Sequence, residues 1–493
     1  MSAADDRALR ALVGGVLWPG FLGRTVPDWL RREFDEGLAG VVLFAHNLHA
    51  EGGLRSDEGA SRNRMSLAAD LRSIRPSLLV GIDEEGGNVT RVDAAAGSTL
   101  PGAAQLGFLD DLAVTEAVGQ HLADRSLAVG ANAVLGPVAD VNTDPRNPVI
   151  GVRSFGETPE LVGRHAVAAL RGIQSAGAAA CVKHFPGHGD THLDSHHAAP
   201  ALTIGIDELE RVHLPPFRAA IDAGVDMVMT AHIVVPAWGD APATLNPVAL
   251  GHLRGMGFDG VIVTDALDMA AVRETVGAGP GAVQALLAGA DLLCISNPRN
   301  LGAAAAPDQD VRDFREVQQA IFDALDDGTL PVDVLERAAG RVRTLADSVG
   351  RSAAGDRMPL DAPLVARGAI TVDGAVPATP GPRTVLDVRG RSTLAVDSDR
   401  DYVEATLAAG GTVLRGDAAV PGSGALVVLV DAVGAPGPQV ERVANIARMR
   451  PDAIVVNAGM PSAVLPLSTL HLRAASRVAA EAASALLDTG APA

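Results

Sequence analysis

The sequence predicts an α/β protein of two domains, the first built on a parallel barrel and the second on a smaller parallel sheet. Three observations predict it. The chain has 493 residues, the length of two domains at the usual ~100–200 residues each. Hydrophobic residues make up 47% and charged residues 20%, which supplies large cores and excludes wholesale disorder. From residue 9 to about 350, short β-branched apolar runs alternate with longer helix-period stretches, eight times over.

The eight runs predict strands at Leu12–Leu17, Gly40–Phe44, Leu78–Asp83, Ala133–Val138, Ala180–His184, Met227–Ala231, Gly260–Thr264 and Asp291–Ile295. Helical patterns follow most of them, as in Leu112–Val129, Pro159–Gln174 and Ile206–Ala223. Eight such units in one domain point to a (β/α)8 TIM-type barrel over residues 1–350, with a doubly wound open sheet as the structural alternative. The spacing of Val334, Leu335, Ala338, Val342, Leu345 and Val349 predicts an amphipathic helix that closes it. A stretch rich in Gly, Ala, Asp and Pro, 351–382, reads as a linker. A C-terminal α/β domain, a parallel-sheet sandwich, is expected over 383–493. Its strands are expected at Thr384–Val388, Thr393–Val396, Gly411–Leu414, Ala425–Val430 and Ala453–Asn457, with a last helix near Leu472–Leu487. No glycine-rich nucleotide fingerprint follows any of these strands, and there is no internal repeat.

Charge and cysteine content narrow the partners. The formal net charge is −19, which repels phosphate backbones and anionic lipids, so neither nucleic acid nor membrane is expected as a partner. Cys181 and Cys294 sit in separate apolar runs and read as two buried thiols, with no disulfide framework and no zinc pattern. The run Ala11–Leu17 is far short of the ~20 residues that span a bilayer. It follows Asp5 and Asp6 rather than a basic segment, and no small-residue cleavage site follows, so a cytoplasmic protein is expected. Nothing in the chain specifies an oligomeric state.

Of the 40 basic residues a single one is lysine, Lys183. In a chain that otherwise uses arginine for positive charge, this position reads as one that needs a compact ammonium, which a planar guanidinium cannot copy. It opens Lys183–His197, which holds five of the 13 histidines. His184, His188, His192 and His196 recur every four residues, but Pro186, Gly187 and Gly189 break any helix that would gather them as metal ligands. The segment reads instead as a strand running into a loop, with no metal and no cofactor. Within the loop, Asp194 and His196 form an Asp-x-His pair in which the carboxylate raises and orients the imidazole, as a general acid/base at neutral pH requires. The other reading of such a pair is a solvated loop. Asp265 ends the apolar run from Gly260, where an acid serves either as a carboxylate at a barrel mouth or as a helix N-cap. Asp83, Lys183, His184, His232 and Asp265 all fall at C-terminal ends of predicted strands, the active face of such a barrel. Scattered caps would not also collect a lysine and two histidines. A carboxylate nucleophile, an Asp-supported acid/base and a ring of hydroxyl-binding side chains suit cleavage of an acetal through an oxocarbenium-like transition state and a covalent intermediate.

These residues carry a family resemblance. Lys183–His188 (KHFPGH), with Gly189, Asp190 and Asp194-Ser195-His196, resembles the signature loop of bacterial β-N-acetylhexosaminidases of glycoside hydrolase family 3. Ile82–Gly87, Leu100–Gly102, Arg153–Gly156, Met229–His232 and Thr264–Leu267 match further segments in order, and the resemblance covers roughly residues 10–350. It implies Asp265 as nucleophile, His196 as acid/base and Asp194 as its partner. It also implies that Asp83, Arg91, Arg153, Lys183, His184 and His232 bind the terminal N-acetylglucosamine (GlcNAc), and that hydrolysis retains the anomeric configuration. Asn88 stands where members often carry arginine. Aromatics are only 3% of the chain, which suits a short carbohydrate held by hydrogen bonds, such as GlcNAc on anhydro-N-acetylmuramic acid, rather than a polymer on stacked rings. Trp238 is the aromatic placed either to line a subsite or to pack. A phosphorylase of the same family is an alternative, because a spent imidazole is neutral and does not repel phosphate. So is a β-glucosidase, although that reading expects a glutamate acid/base elsewhere. A metal-dependent hydrolase and a non-catalytic sugar sensor account for less of the motif set.

Overall fold

The computed structural model describes residues 3–49, 67–75, 77–191, 200–300, 302–350, 356–390, 401–461 and 464–491. Its first domain runs through β1 (Leu17–Trp18), β2 (Gly40–Leu43), β3 (Leu79–Ile82), a hairpin of β4 (Glu84–Gly86) and β5 (Val89–Thr90), then β6 (Ala133–Val134), β7 (Ala179–Phe185), β8 (Met227–Thr230), β9 (Val261–Val263) and β10 (Leu293–Cys294). Six of these strands form one curled parallel sheet in the order β2-β3-β6-β7-β8-β9, and β1 pairs with β10 in a separate parallel pair. The expected eight-stranded barrel is therefore seen as six strands plus two. Backbone contacts link the parts on both sides: a parallel bridge Val263–Leu292 with the Thr264 N–H donating to Leu292 O (3.0 Å), and the Val42 and Ala39 N–H groups donating to Pro19 O (3.0 Å) and Gly14 O (2.9 Å).

Alternation along the strands sorts side chains into two cores. Val42, Leu79, Met227, Met229, Val261 and Val263 fill the interior with Trp18 and Cys181. Val41, Leu43, Val80, Ile82, Val228 and Ile262 face the surrounding helices. Both faces are buried, which is why the strands read as continuous apolar runs. Gly81 points inward, where a Cβ would lie 2.4 Å from the Trp18 ring, and the Trp18 Nε1–H donates to Leu79 O at 2.8 Å.

Two sequence expectations need correction here. The run expected as a strand at Leu12–Leu17 begins inside a helix, Ala3–Gly14, and leaves only Leu17–Trp18 extended; a short apolar run has no periodicity that separates the two. The helix expected at Ile206–Ala223 is broken into Ile206–Glu208, a π-turn Leu209–His213, and Pro215–Asp222, where Pro215 and Pro216 interrupt the ladder. The closing helix runs over Val332–Ser348.

A second six-stranded sheet follows: β11 (Thr371–Asp373), β12 (Thr384–Asp387), β13 (Val413–Arg415), β14 (Leu426–Val430), β15 (Ile454–Asn457) and β16 (Thr469–His471), ordered β11-β16-β15-β14-β12-β13. All neighbours are parallel except β11 with β16. Helices Asp401–Ala408, Pro438–Met449 and Arg477–Thr489 cover its two faces. Segment 351–382 holds a helix, Ala362–Gly368, as well as β11. The strand expected at Thr393–Val396 lies outside the described residues.

Candidate active site

The site is assembled where the strands of the first sheet end. β3 delivers Asp83, and the β4–β5 hairpin folds back over it. Gly86 and Gly87 make that return at φ +77° and +54°, a region open to glycine. A Cβ on Gly87 would lie 2.6 Å from Gly102 Cα, and one on Gly86 2.6 Å from Pro101 O, so the double glycine and the Leu-Pro-Gly segment fit as one packed unit. Beneath the hairpin the buried Glu84 carboxylate accepts from Thr90 Oγ1 (2.7 Å), Arg91 N (2.9 Å) and Val92 N (3.1 Å). This turns Arg91 back onto Asp83, Nη2 to Oδ2 at 3.1 Å.

β7 brings Lys183 and His184 to the same cleft, although consecutive strand residues ordinarily face opposite sides; the pairing register with β8 shifts between Val182 and Phe185. Lys183 Nζ is 2.7 Å from Asp83 Oδ1 and 2.7 Å from Glu85 Oε1. Arg153 clamps Glu85 with Nε and Nη2 at 2.9 and 2.8 Å, the bidentate geometry that suits a carboxylate. Burial alone would push both acids up. The charges of Lys183 and Arg91 hold Asp83 well below the carboxylate range, and those of Arg153 and Lys183 hold Glu85 at about 2. Burial likewise opposes the charge on Lys183, and its two carboxylates overcome it.

His184 is oriented from behind by the fully buried Asp140. Its Nδ1 is 2.7 Å from Asp140 Oδ2, while Asp140 Oδ1 accepts from the backbone N–H of His184 (3.1 Å) and His188 (2.7 Å). Despite its burial Asp140 is kept low by these histidines. The His188 ring meets His184 edge-on at 5.9 Å, and burial with the neighbouring His184 charge lowers it to about 4.

Two residues beyond β9 stands Asp265, whose N–H donates to Thr230 O (3.2 Å) and whose Oδ1 accepts from Ala266 N (2.8 Å). Asp83, Arg91, Arg153, Lys183, His184 and Asp265 all line one cleft. His232 does not. Its ring is fully buried, with Nε2–H donating to Ala266 O (2.9 Å) and Nδ1 3.0 Å from Thr244 Oγ1, so it braces the segment after Asp265 from behind. Trp238 packs against Phe185 and His252 rather than in the cleft. Asp194 and His196, the expected acid/base pair, lie outside the described residues. Both cysteines are buried, and Cys294 forms part of the cleft lining.

Sequence reasoning missed Glu85, Asp140, Asn297 and Asn300. Asp140 closes the run Ala133–Ala139 just as Asp83 and Asp265 close theirs, and the same rule finds it. Glu85 is two residues from Asp83, hence on the same side of an extended chain. Among the described residues no group of His, Cys, Asp and Glu is arranged to hold a metal ion, and no helix is long and apolar enough to cross a membrane.

A parallel sheet with carboxylates, cations and imidazoles gathered in a cleft at its strand ends is the arrangement of an α/β enzyme's active site. The family model described as glycosyl hydrolase family 3 N terminal domain matches residues 26–345, and the chain belongs to that family of glycoside hydrolases. A β-hexosaminidase from Chromobacterium violaceum is 38% identical over 287 residues, 55% of this chain and 77% of the relative. Beta-hexosaminidase A from Pseudoalteromonas piscicida is 30% identical over 336 residues, 64% of this chain, and the match spans only about half, 54%, of that relative's length. Among solved structures, a family 3 β-N-acetylglucosaminidase from Paenibacillus sp. matches over 98% of this chain and 96% of its own, at 29% identity and a TM-score of 0.75.

Proposed function

We propose that the protein is a retaining, exo-acting β-N-acetylglucosaminidase that releases terminal GlcNAc from short, cell-wall-derived fragments. The observation that carries this reading is the shared cleft, with Asp265, His184 and the ion-paired set Asp83, Arg91, Lys183 and Arg153 on its walls. The relatives named β-hexosaminidase support the choice of sugar. The backbone contacts between the six-stranded sheet and the β1–β10 segments support reading the first domain as a closed (β/α)8-type ring.

In this mechanism Asp265 attacks the anomeric carbon as the bond to the leaving oxygen breaks, and His196 gives that oxygen its proton. A water then attacks the glycosyl-enzyme. His196 takes the water's proton, the ester bond to Asp265 breaks, and the two inversions sum to retention. Asp194 keeps the imidazole oriented and basic enough to hold its proton near neutral pH. Two adjacent buried carboxylates would otherwise retain protons; Lys183 and Arg153 keep Asp83 and Glu85 ionised, so Asp83 is an acceptor for sugar hydroxyls.

The test compares p-nitrophenyl β-GlcNAc with p-nitrophenyl β-glucoside, with and without added phosphate. Preference for the first, with free GlcNAc released whatever the phosphate concentration, supports the proposal. GlcNAc 1-phosphate as product makes the enzyme a phosphorylase, and preference for the glucoside removes the reading.

A further inference from the structure

The cleft has two chemically different walls. One carries charged side chains, Asp83, Lys183, Arg91 and Arg153, which suit hydroxyl groups. The part of the lining that follows Asp265 and β10 is neutral: Ala266, Met269, Cys294 and two amides, Asn297 and Asn300.

These amides are fixed in complementary senses. Asn297 caps a tight turn, its Oδ1 accepting the Arg299 N–H at 3.1 Å, so its remaining hydrogen-bonding group is the Nδ2 donor. Asn300 spends Nδ2 on Asp268 Oδ2 at 2.7 Å, so its remaining group is the Oδ1 acceptor. Asp268 is held in turn. It is 7% exposed, its N–H donates to Ile295 O at 3.1 Å, and the preceding Leu267 N–H donates to Cys294 O at 3.0 Å. The segment after Asp265 and the turn after β10 are thus tied together beside the nucleophile.

Resting on the reading above, we propose that Asn297 and Asn300 recognise the acetamido group of the bound sugar, with Asp268 as the positioning residue that sets Asn300. An acetamide offers one acceptor, one donor and a methyl group. Asn297 Nδ2 donates to its carbonyl, Asn300 Oδ1 accepts its N–H, and Met269 and Cys294 supply apolar surface for its methyl. The place is set by connectivity: C2 is bonded to the anomeric carbon that Asp265 attacks, so its substituent lies beside that carboxylate. The charged wall would strip water from its ion pairs to cover a methyl, at a cost the neutral wall does not incur. A half-buried amide pair that a bound sugar covers, and that a 2-hydroxyl leaves unsatisfied, is also a means of rejecting the sugar that lacks the acetamide.

The experiment measures kcat/KM on the GlcNAc and glucose p-nitrophenyl glycosides for wild type, Asn297→Ala, Asn300→Ala, Asp268→Ala and Asp268→Asn, and the competitive inhibition constants of free GlcNAc and glucose for each. The ratio of the two kcat/KM values falls roughly 10- to 100-fold in Asn297→Ala, Asn300→Ala and Asp268→Ala, and recovers in Asp268→Asn, whose amide still meets Asn300. The inhibition constants shift in the same sense. A wild type that prefers GlcNAc, with variants that keep the ratio or lose both activities equally, overturns this inference and leaves the functional reading standing. A wild type without that preference removes both. Should Asp268→Ala fail to fold, Asn297→Ala and Asn300→Ala decide the matter alone.

Discussion

Lys183 Nζ stands 2.7 Å from Glu85 Oε1 and 2.7 Å from Asp83 Oδ1, joining a carboxylate behind the cleft wall to one that lines it. All three side chains are largely buried. Removing the cation leaves two acids in a space that disfavours their charge. Lys183→Met is expected to lose about 3–5 kcal/mol in denaturant unfolding, with sugar affinity falling alongside. Lys183→Arg does not restore activity, because a planar fork has no room to act as a point charge between two acids. A Lys183→Arg enzyme with wild-type kcat/KM would show that any cation serves.

Asp265→Ala is expected to abolish measurable turnover while leaving thermal unfolding in place. His196→Ala is expected to lower kcat by about 10²–10⁴ on substrates with poor leaving groups, the ordinary contribution of a general acid/base. On p-nitrophenyl glycosides, which need little protonation, its loss is smaller. Asp194→Ala costs less than either. Normal turnover by purified Asp265→Ala would refute the mechanism.

Asp140→Asn tests how His184 is held. The carboxylate takes a hydrogen bond from Nδ1–H; a carboxamide in its place presents N–H there and drives the ring to the other tautomer. Expected are a loss of about 1–3 kcal/mol of stability, a rise in KM, and an inverted Nδ1/Nε2 pattern for His184 in ¹⁵N NMR. An unchanged tautomer with unchanged KM would mean that Asp140 only packs.

Asp268 gives a pH dependence. Burial, then the nearby Asp313, raise its carboxyl to about 8 from an ordinary 3.8. The folded chain therefore keeps a proton that the unfolded chain releases. The stability this brings is full below about pH 3.8 and is lost as the pH climbs toward 8. Asp268→Asn removes that titration, so its Tm relative to wild type should improve from about pH 5 to about pH 8 and level off above that. A constant difference across that range would contradict the assignment.

Much of this site was legible because strand ends are legible. Apolar runs that stop at a charged residue located Asp83, Lys183, His184 and Asp265, and the cleft gathers all four. His232 obeyed the same rule yet turns away from the cleft, since a strand-end position does not say which side its ring takes. Asn297 and Asn300 carry no such mark: two asparagines in a Pro-containing turn read as turn chemistry. Only the fold shows that Asp268, some thirty residues earlier in the chain, meets Asn300. In the second domain β11 and β16, three residues each, were too brief to rise above the loops around them.

Asn88 Oδ1 accepts the Ala475 N–H at 2.6 Å, and the buried Gln105 amide donates to Leu472 O at 3.0 Å. The hairpin that aims Arg91 at Asp83 is thereby fastened, with the helix beside it, to the turn leaving β16. The C-terminal domain thus serves as scaffolding for a cleft that none of its described residues line. A gene shortened at the domain boundary would yield a first domain whose Arg91 hairpin has lost its anchor, and damage near residue 475 would surface as weakened affinity at a distance.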